Sequence, residues 1–242
     1  MEQKLYKPVI KKLEVNDEHY YFVDGEFYPS VTKILGETMP MPYALRQWIG
    51  DVGNEKAESK MNRAAARGTL IHNGCEALLR GEKIKLTEIF PNRKDQALLV
   101  AFKNWAAEYQ PQVESEHHIE MTVASVYKYA GTLDIFCTIK GEPWIIDIKT
   151  SAGVYDSHML QVAAYRNAFH EMTGIWAKMG ILHLKSTTKK GYQFVTDIEI
   201  KGKPISTDDF MKVYDLCLVL NGGKIPEPAL QEEYPEYLSL AD

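Results

Sequence analysis

The spacing of apolar residues changes once along this chain, near Pro111, and that change restricts the fold more than any other feature. Before it, Leu98, Phe102, Trp105, Ala106 and Tyr109 recur at helical intervals, which predicts an amphipathic helix over 93–109 that stops ahead of the proline. After it, β-branched and aromatic residues predict three successive strands over 113–126, 131–139 and 144–148. The last two are joined by a turn around Lys140-Gly141-Glu142-Pro143. Helical spacing returns over 158–172 and ends at Gly174. Strands follow over 175–184 and 192–200, and a final helix over 207–220 is closed by Gly222-Gly223. This order specifies a mixed α/β core with a mostly antiparallel sheet flanked by helices.

The first part of the chain adds a hairpin and a helical lobe. Residues 19–23 and 26–28 alternate aromatic and β-branched side chains around Asp24-Gly25, a turn dipeptide. Ser30 can cap a short helix running to Leu35, and Met39-Pro40-Met41-Pro42 breaks it. From Tyr43 to Leu79 the reading is helical, with interruptions expected near 50–53 and at Gly68. We expect one domain over 1–242, with the hairpin and helical lobe in 1–110 and the sheet core in 111–242.

With 45% hydrophobic residues, a chain of 242 residues can bury a substantial core, and it contains no low-complexity tract. Its apolar runs are short, whereas a membrane helix takes about 20 apolar residues, so no membrane partner is expected. The N-terminus has no signal-type apolar stretch, and Glu14, Asp17 and Glu18 oppose an intact transit peptide. A cytoplasmic protein, bacterial or phage-encoded, is the expectation, with a processed organellar form as the alternative. Cys75, Cys137 and Cys217 form no C-x-x-C pair, so neither a disulfide framework nor a cysteine zinc site is indicated. The net charge of −5 does not exclude a polyanionic partner, because a local basic groove suffices and bound cations offset a carboxylate site.

The chemistry concentrates in Gly131-Thr132-Leu133-Asp134 and Asp147-Ile148-Lys149-Thr150. On a strand, residues two apart share a face, so Asp147 and Lys149 point together while Ile146 and Ile148 enter the core. Strand pairing through the Gly141 turn can bring Asp134 to Asp147. Two carboxylates in one pocket are hard oxygen ligands suited to Mg²⁺ or Mn²⁺, and the Ile148 carbonyl between the polar residues is an extra candidate ligand. Lys149 beside such a metal can position or deprotonate a water and offset charge on a phosphorus centre.

These segments, together with Gln161 and Tyr165 one helical turn apart, resemble the RecB-like branch of the PD-(D/E)XK nucleases, whose motifs run G-x-x-D, D-x-K and Q-x-x-x-Y. The resemblance implies a restriction-endonuclease-like core. It also implies that His72, within Arg67-Gly68-Thr69-Leu70-Ile71-His72, is a metal ligand and that Glu120 can be another. Residues 28–35, Tyr28-Pro29-Ser30-Val31-Thr32-Lys33-Ile34-Leu35, followed by Thr38-Met39-Pro40, are similar to the mitochondrial genome maintenance exonuclease family with its bacterial and phage relatives. What this implies is a metal-dependent exonuclease acting on single-stranded DNA from a free end, in recombination, repair or phage DNA processing. Recombination or replication proteins are possible partners. The four cysteines that hold an iron–sulfur cluster in some relatives are absent, so no cluster is expected.

Candidate nucleic-acid contacts are Arg46 and Trp48, Arg63 and Arg67, and Lys185 with Lys189 and Lys190, each also readable as a solvated surface. Ser30 and Thr32 can bind phosphate or simply cap a helix. Thr150 and Ser151 can touch the scissile strand, and Gln161 and Tyr165 can brace the site or touch DNA, with bracing the preferred reading for Tyr165. The rival functions are a structure- or sequence-specific endonuclease and a catalytically silent nucleic-acid-binding subunit.

Overall fold

The computed structural model describes residues 5–15, 18–185 and 189–225. Three antiparallel strands open the chain: β1 (Ile10–Val15), β2 (Glu18–Val23) and β3 (Glu26–Pro29). The hairpin read from the sequence is therefore β2–β3, with Asp24 and Gly25 both at positive φ in its turn. The first strand, β1, was not expected, because Lys11, Lys12 and Glu14 interrupt its apolar pattern.

Ser30 caps α1 (Val31–Thr38) by accepting the Lys33 N–H at 3.0 Å. The helix runs one turn beyond Leu35, and its buried Val31, Ile34 and Leu35 enter the main core. Next come α2 (Tyr43–Val52), α3 (Asn54–Leu79), the short α4 (Leu86–Ile89) and α5 (Arg93–Tyr109). The break between α2 and α3 falls at Gly53, whose φ of 82° a side chain would oppose. Gly68 does not interrupt α3, contrary to expectation. A Cβ there would lie 3.4 Å from Thr150 Oγ1, an ordinary contact at the end of a strand.

The central sheet has five strands in the order β4 (Ile119–Ala124), β5 (Ala130–Ile139), β6 (Glu142–Lys149), β7 (Lys178–Leu184) and β8 (Tyr192–Val195). All pairings are antiparallel except β6 with β7, which are parallel and joined across α6 (Asp156–Thr173). The strand expected over 113–126 begins only at Ile119. Ser115 accepts the His117 N–H at 3.2 Å and sets a 3₁₀ turn over Glu116–His118. The strand expected over 192–200 divides into β8 and a two-residue β9 (Glu199–Ile200), which pairs with β10 (Lys203–Pro204) before α7 (Thr207–Leu220).

Helices cover both sheet faces, giving an α/β fold of three layers. On one face Leu133, Phe136, Ile145 and Ile181 pack against α1, α6 and α7. On the other, Ile135, Cys137, Ile146, Ile148 and Leu182 pack against Ile71 and Cys75 of α3 and Phe102 and Trp105 of α5. Cys75, Cys137 and Cys217 are buried and unpaired. Among the described residues, no helix is long and apolar enough to cross a membrane.

Candidate metal centre

Strands β5 and β6 pair from Ile139 opposite Glu142 down to Ile135 opposite Ile146. One step further, antiparallel register sets Asp134 across from Asp147, and there the strands part. Asp134 fills the opening with its side chain, whose Oδ2 accepts the Ile148 N–H at 2.5 Å. The Ile148 backbone thus serves this site through its amide.

From α3, where Ile71 and Cys75 face the sheet, His72 turns toward the fork and brings Nδ1 to 3.5 Å from Asp134 Oδ1. From β4 comes Glu120. Its ladder neighbours Ile119 and Met121 sit opposite Ile135 and Leu133, so Glu120 lies level with Asp134. Glu120 holds a φ of 53° inside a strand, a left-handed conformation that costs about 1–3 kcal/mol for a residue with a side chain. One ligand atom each from His72, Glu120 and Asp134 all fall within 4.8 Å of one another.

Asp147 and Lys149 share a face, with Ile146 and Ile148 in the core behind them. Lys149 Nζ lies 2.9 Å from Asp147 Oδ2 and donates to Gln161 Oε1 at 3.0 Å. Gln161 Nε2 in turn donates to Tyr165 Oη at 3.0 Å. Tyr165 lies against Gly131, where any Cβ would collide with its ring. The glycine, the glutamine and the tyrosine are thus one brace that fixes the lysine. Tyr165 bonds to the site through Gln161.

The electrostatics are those of a site short of positive charge. Burial and then the Asp134 carboxylate push Glu120 up to about 7. Burial also raises Asp147 to about 6, against the pull of Lys149 and with a push from Asp134. Burial opposes charge on Asp134 too, yet His72, Lys149 and the Ile148 N–H outweigh it and hold the carboxyl below its ordinary value. For His72 burial works against the cation, and the Asp134 charge overcomes it, raising the imidazole to about 9. An imidazole and two carboxylates within this reach are a donor set that fits a divalent cation such as Mn²⁺ or Mg²⁺, which would relieve the crowding of negative charge.

Of the remaining candidates, Thr32 lines a cleft together with Lys149 and Gln161, and the others make their contacts elsewhere. Ser30 is buried and spends its hydroxyl on the α1 cap and on Thr32 Oγ1 at 3.0 Å. Arg67 forms an ion pair with Asp95 of α5. Arg46 lies over the Tyr43 ring, and Trp48 carries Lys60 over its own ring at 5.6 Å. Arg63 donates to the Ser59 carbonyl. Thr150 flanks α3 at Gly68, and Ser151 donates to the Gly153 carbonyl at 2.7 Å. Lys185 bonds Gln193, and Lys190 pairs with Glu108 at 3.0 Å. Lys185, Lys189 and Lys190 line a surface cleft with α5, distant in sequence from the fork residues.

Two histidines near Lys149 were not anticipated. His183 stands beside Lys149 in the β6–β7 ladder, and its Nε2 meets the Ser151 carbonyl at 2.7 Å. His158, on the first turn of α6, lines a cleft of about 490 Å³ that also contains Lys149 and Gln161. Their spacing from Lys149 is not that of any metal motif, and only the α6 register would have exposed His158.

A scan against protein-family models finds no match, and a search of curated proteins finds none. Among solved structures the chain is similar to SSO0001 at 14% identity and a TM-score of 0.38, over 83% of this chain and 87% of that one. A likeness at that level leaves function to be argued from the site.

Proposed function

We propose that this protein is a metal-dependent DNA exonuclease that hydrolyses phosphodiester bonds in single-stranded DNA from a free end. The observation that carries the reading is the grouping of His72, Glu120 and Asp134 within 4.8 Å, beside a lysine held between Asp147 and Gln161. Such a grouping of hard ligands next to an immobilised ammonium matches the needs of phosphodiester hydrolysis. The motif resemblance from Gly131 through Tyr165 supports DNA as substrate, and recombination, repair or phage DNA processing as the setting.

In this reading His72, Glu120, Asp134 and Asp147 would hold the cation, which would supply a Lewis acid for the phosphate and lower the pKa of a nearby water. Asp134 is kept ionised by the Ile148 N–H and His72, so it is ready to ligate. Lys149 orients the attacking water and stabilises charge as it grows on phosphate oxygens. Gln161 fixes where its ammonium points.

The test is digestion of linear single strands, the corresponding duplex and a closed single-stranded circle, each with Mg²⁺, Mn²⁺ or EDTA. Loss of the linear strand alone, with metal only, is expected. Cleavage of the circle would favour the endonuclease reading, and no cleavage of any substrate would favour a silent binding subunit.

A further inference from the structure

The cleft beside Lys149 has two unlike walls. One is apolar and comes from the connection between α1 and α2, with Met39, Pro40, Met41 and Pro42 joined by Leu35 and Leu45. The other is polar: Lys149, Gln161, and Ser157 and His158 at the start of α6, with Thr32 at the rim. Among the described residues, no carboxylate lines it. The amino end of α6, an 18-residue helix, opens toward this wall and adds its positive dipole end.

His158 is set in one tautomer by the backbone. Its Nδ1 accepts the Tyr155 N–H at 3.2 Å, and an atom that accepts carries no proton. The single ring proton therefore sits on Nε2, which has no hydrogen-bond partner among the described residues. Burial, with Lys149 and His183 nearby, also disfavours a charged ring, lowering His158 to about 3, so the donor keeps this form across the working pH range.

We propose that this cleft seats the backbone phosphate adjoining the scissile one, with the His158 Nε2–H as a fixed neutral donor beside Lys149 and with the neighbouring base against the Met39–Pro42 wall. The inference rests on the nuclease reading and deepens it by assigning a single-strand subsite to a cleft that Lys149 lines and His72 does not.

Binding of a short fluorescent oligothymidylate in Ca²⁺, which keeps the strand intact, tests the assignment. His158→Asn retains an acceptor near the Tyr155 N–H but lacks the reaching donor, whereas His158→Gln extends an amide N–H toward the Nε2 position. We expect the Asn variant to bind about tenfold more weakly, as loss of one hydrogen bond implies, with an unchanged melting temperature, and the Gln variant to recover most of the loss. A methylphosphonate scan of the strand on wild-type protein supplies a readout free of folding effects: one position should weaken wild-type binding and leave the Asn variant unaffected. Equal affinity of wild type and the Asn variant, or no sensitive position in the scan, overturns the subsite. Failure of wild type to bind the strand at all would instead overturn the nuclease reading, and the subsite with it.

Discussion

Gln161 Oε1 receives the Lys149 ammonium at 3.0 Å while its amide nitrogen donates to the buried Tyr165 hydroxyl. One amide thus links the candidate catalytic lysine to the core of the sheet, and the ammonium, which can only donate, sets which end of the amide faces it. Gln161→Leu should lower kcat about 10- to 100-fold, because the lysine loses its orientation. It should also destabilise the fold by about 1–3 kcal/mol through the unpaired Tyr165 hydroxyl. Steady-state kinetics with chemical denaturation on the same sample checks both.

Gly131 is required by its neighbour and not by its backbone, since it does not adopt positive φ. A methyl there meets the Tyr165 ring, which is fixed between the sheet and α6. Gly131→Ala should cost about 1–3 kcal/mol in denaturant unfolding, as overpacking does, and should reduce activity through the same Tyr165–Gln161–Lys149 chain. A stability equal to wild type would show that the ring has room to move.

Glu120 gives a stability prediction whose sign is opposite to that of an ordinary surface carboxylate. Its folded-state value is raised to about 7, so the charged form is worse off folded than unfolded. The resulting cost is absent below about pH 4, grows through the window up to about 7, and is fully present above it. Glu120→Gln should therefore stabilise the metal-free protein by about 1–2 kcal/mol at pH 8 and hardly at all at pH 4.5. In saturating Mn²⁺ the comparison should reverse, because the variant loses a ligand. Thermal melts at both pH values, with and without Mn²⁺, read this out.

Metal affinity should rise with pH for the same reason. Asp147 at about 6, Glu120 at about 7 and His72 at about 9 must shed protons before they ligate. Mn²⁺ titration calorimetry should show tighter binding at pH 8 than at pH 6, with heat that depends on the buffer as protons are released. Affinity that stays flat across this range would remove the cluster from consideration as the metal site.

Much of the fold was legible in the sequence because local signals and packing agree there. The helices over 93–109 and 207–220 were read with the bounds they have, since residues such as Leu98, Phe102 and Trp105, and Phe210, Tyr214 and Cys217, recur at helical spacing and are buried. Gly68 misled because a glycine inside a long helix keeps ordinary helical backbone and need not break it. Strand β1 was hidden by its charged residues, which an edge strand tolerates. At the site, period-two spacing brought out Asp147 and Lys149, and motif resemblance brought in His72 and Glu120. No sequence signal revealed that Glu120 holds a left-handed backbone or that Asp134 closes a fork by taking the Ile148 N–H. His158 escaped because its proposed role depends on which ring nitrogen the Tyr155 amide reaches.

The most direct measurement is single-turnover digestion of an end-labelled linear single strand by wild type and Lys149→Ala at saturating Mn²⁺, with Mn²⁺ affinity measured on both. A fall of about 100- to 1000-fold in rate, with metal affinity retained, is what a water-orienting and charge-stabilising lysine requires. Equal rates in the two proteins, or digestion that persists in EDTA, would contradict the assignment of this site as a metal-dependent nuclease centre.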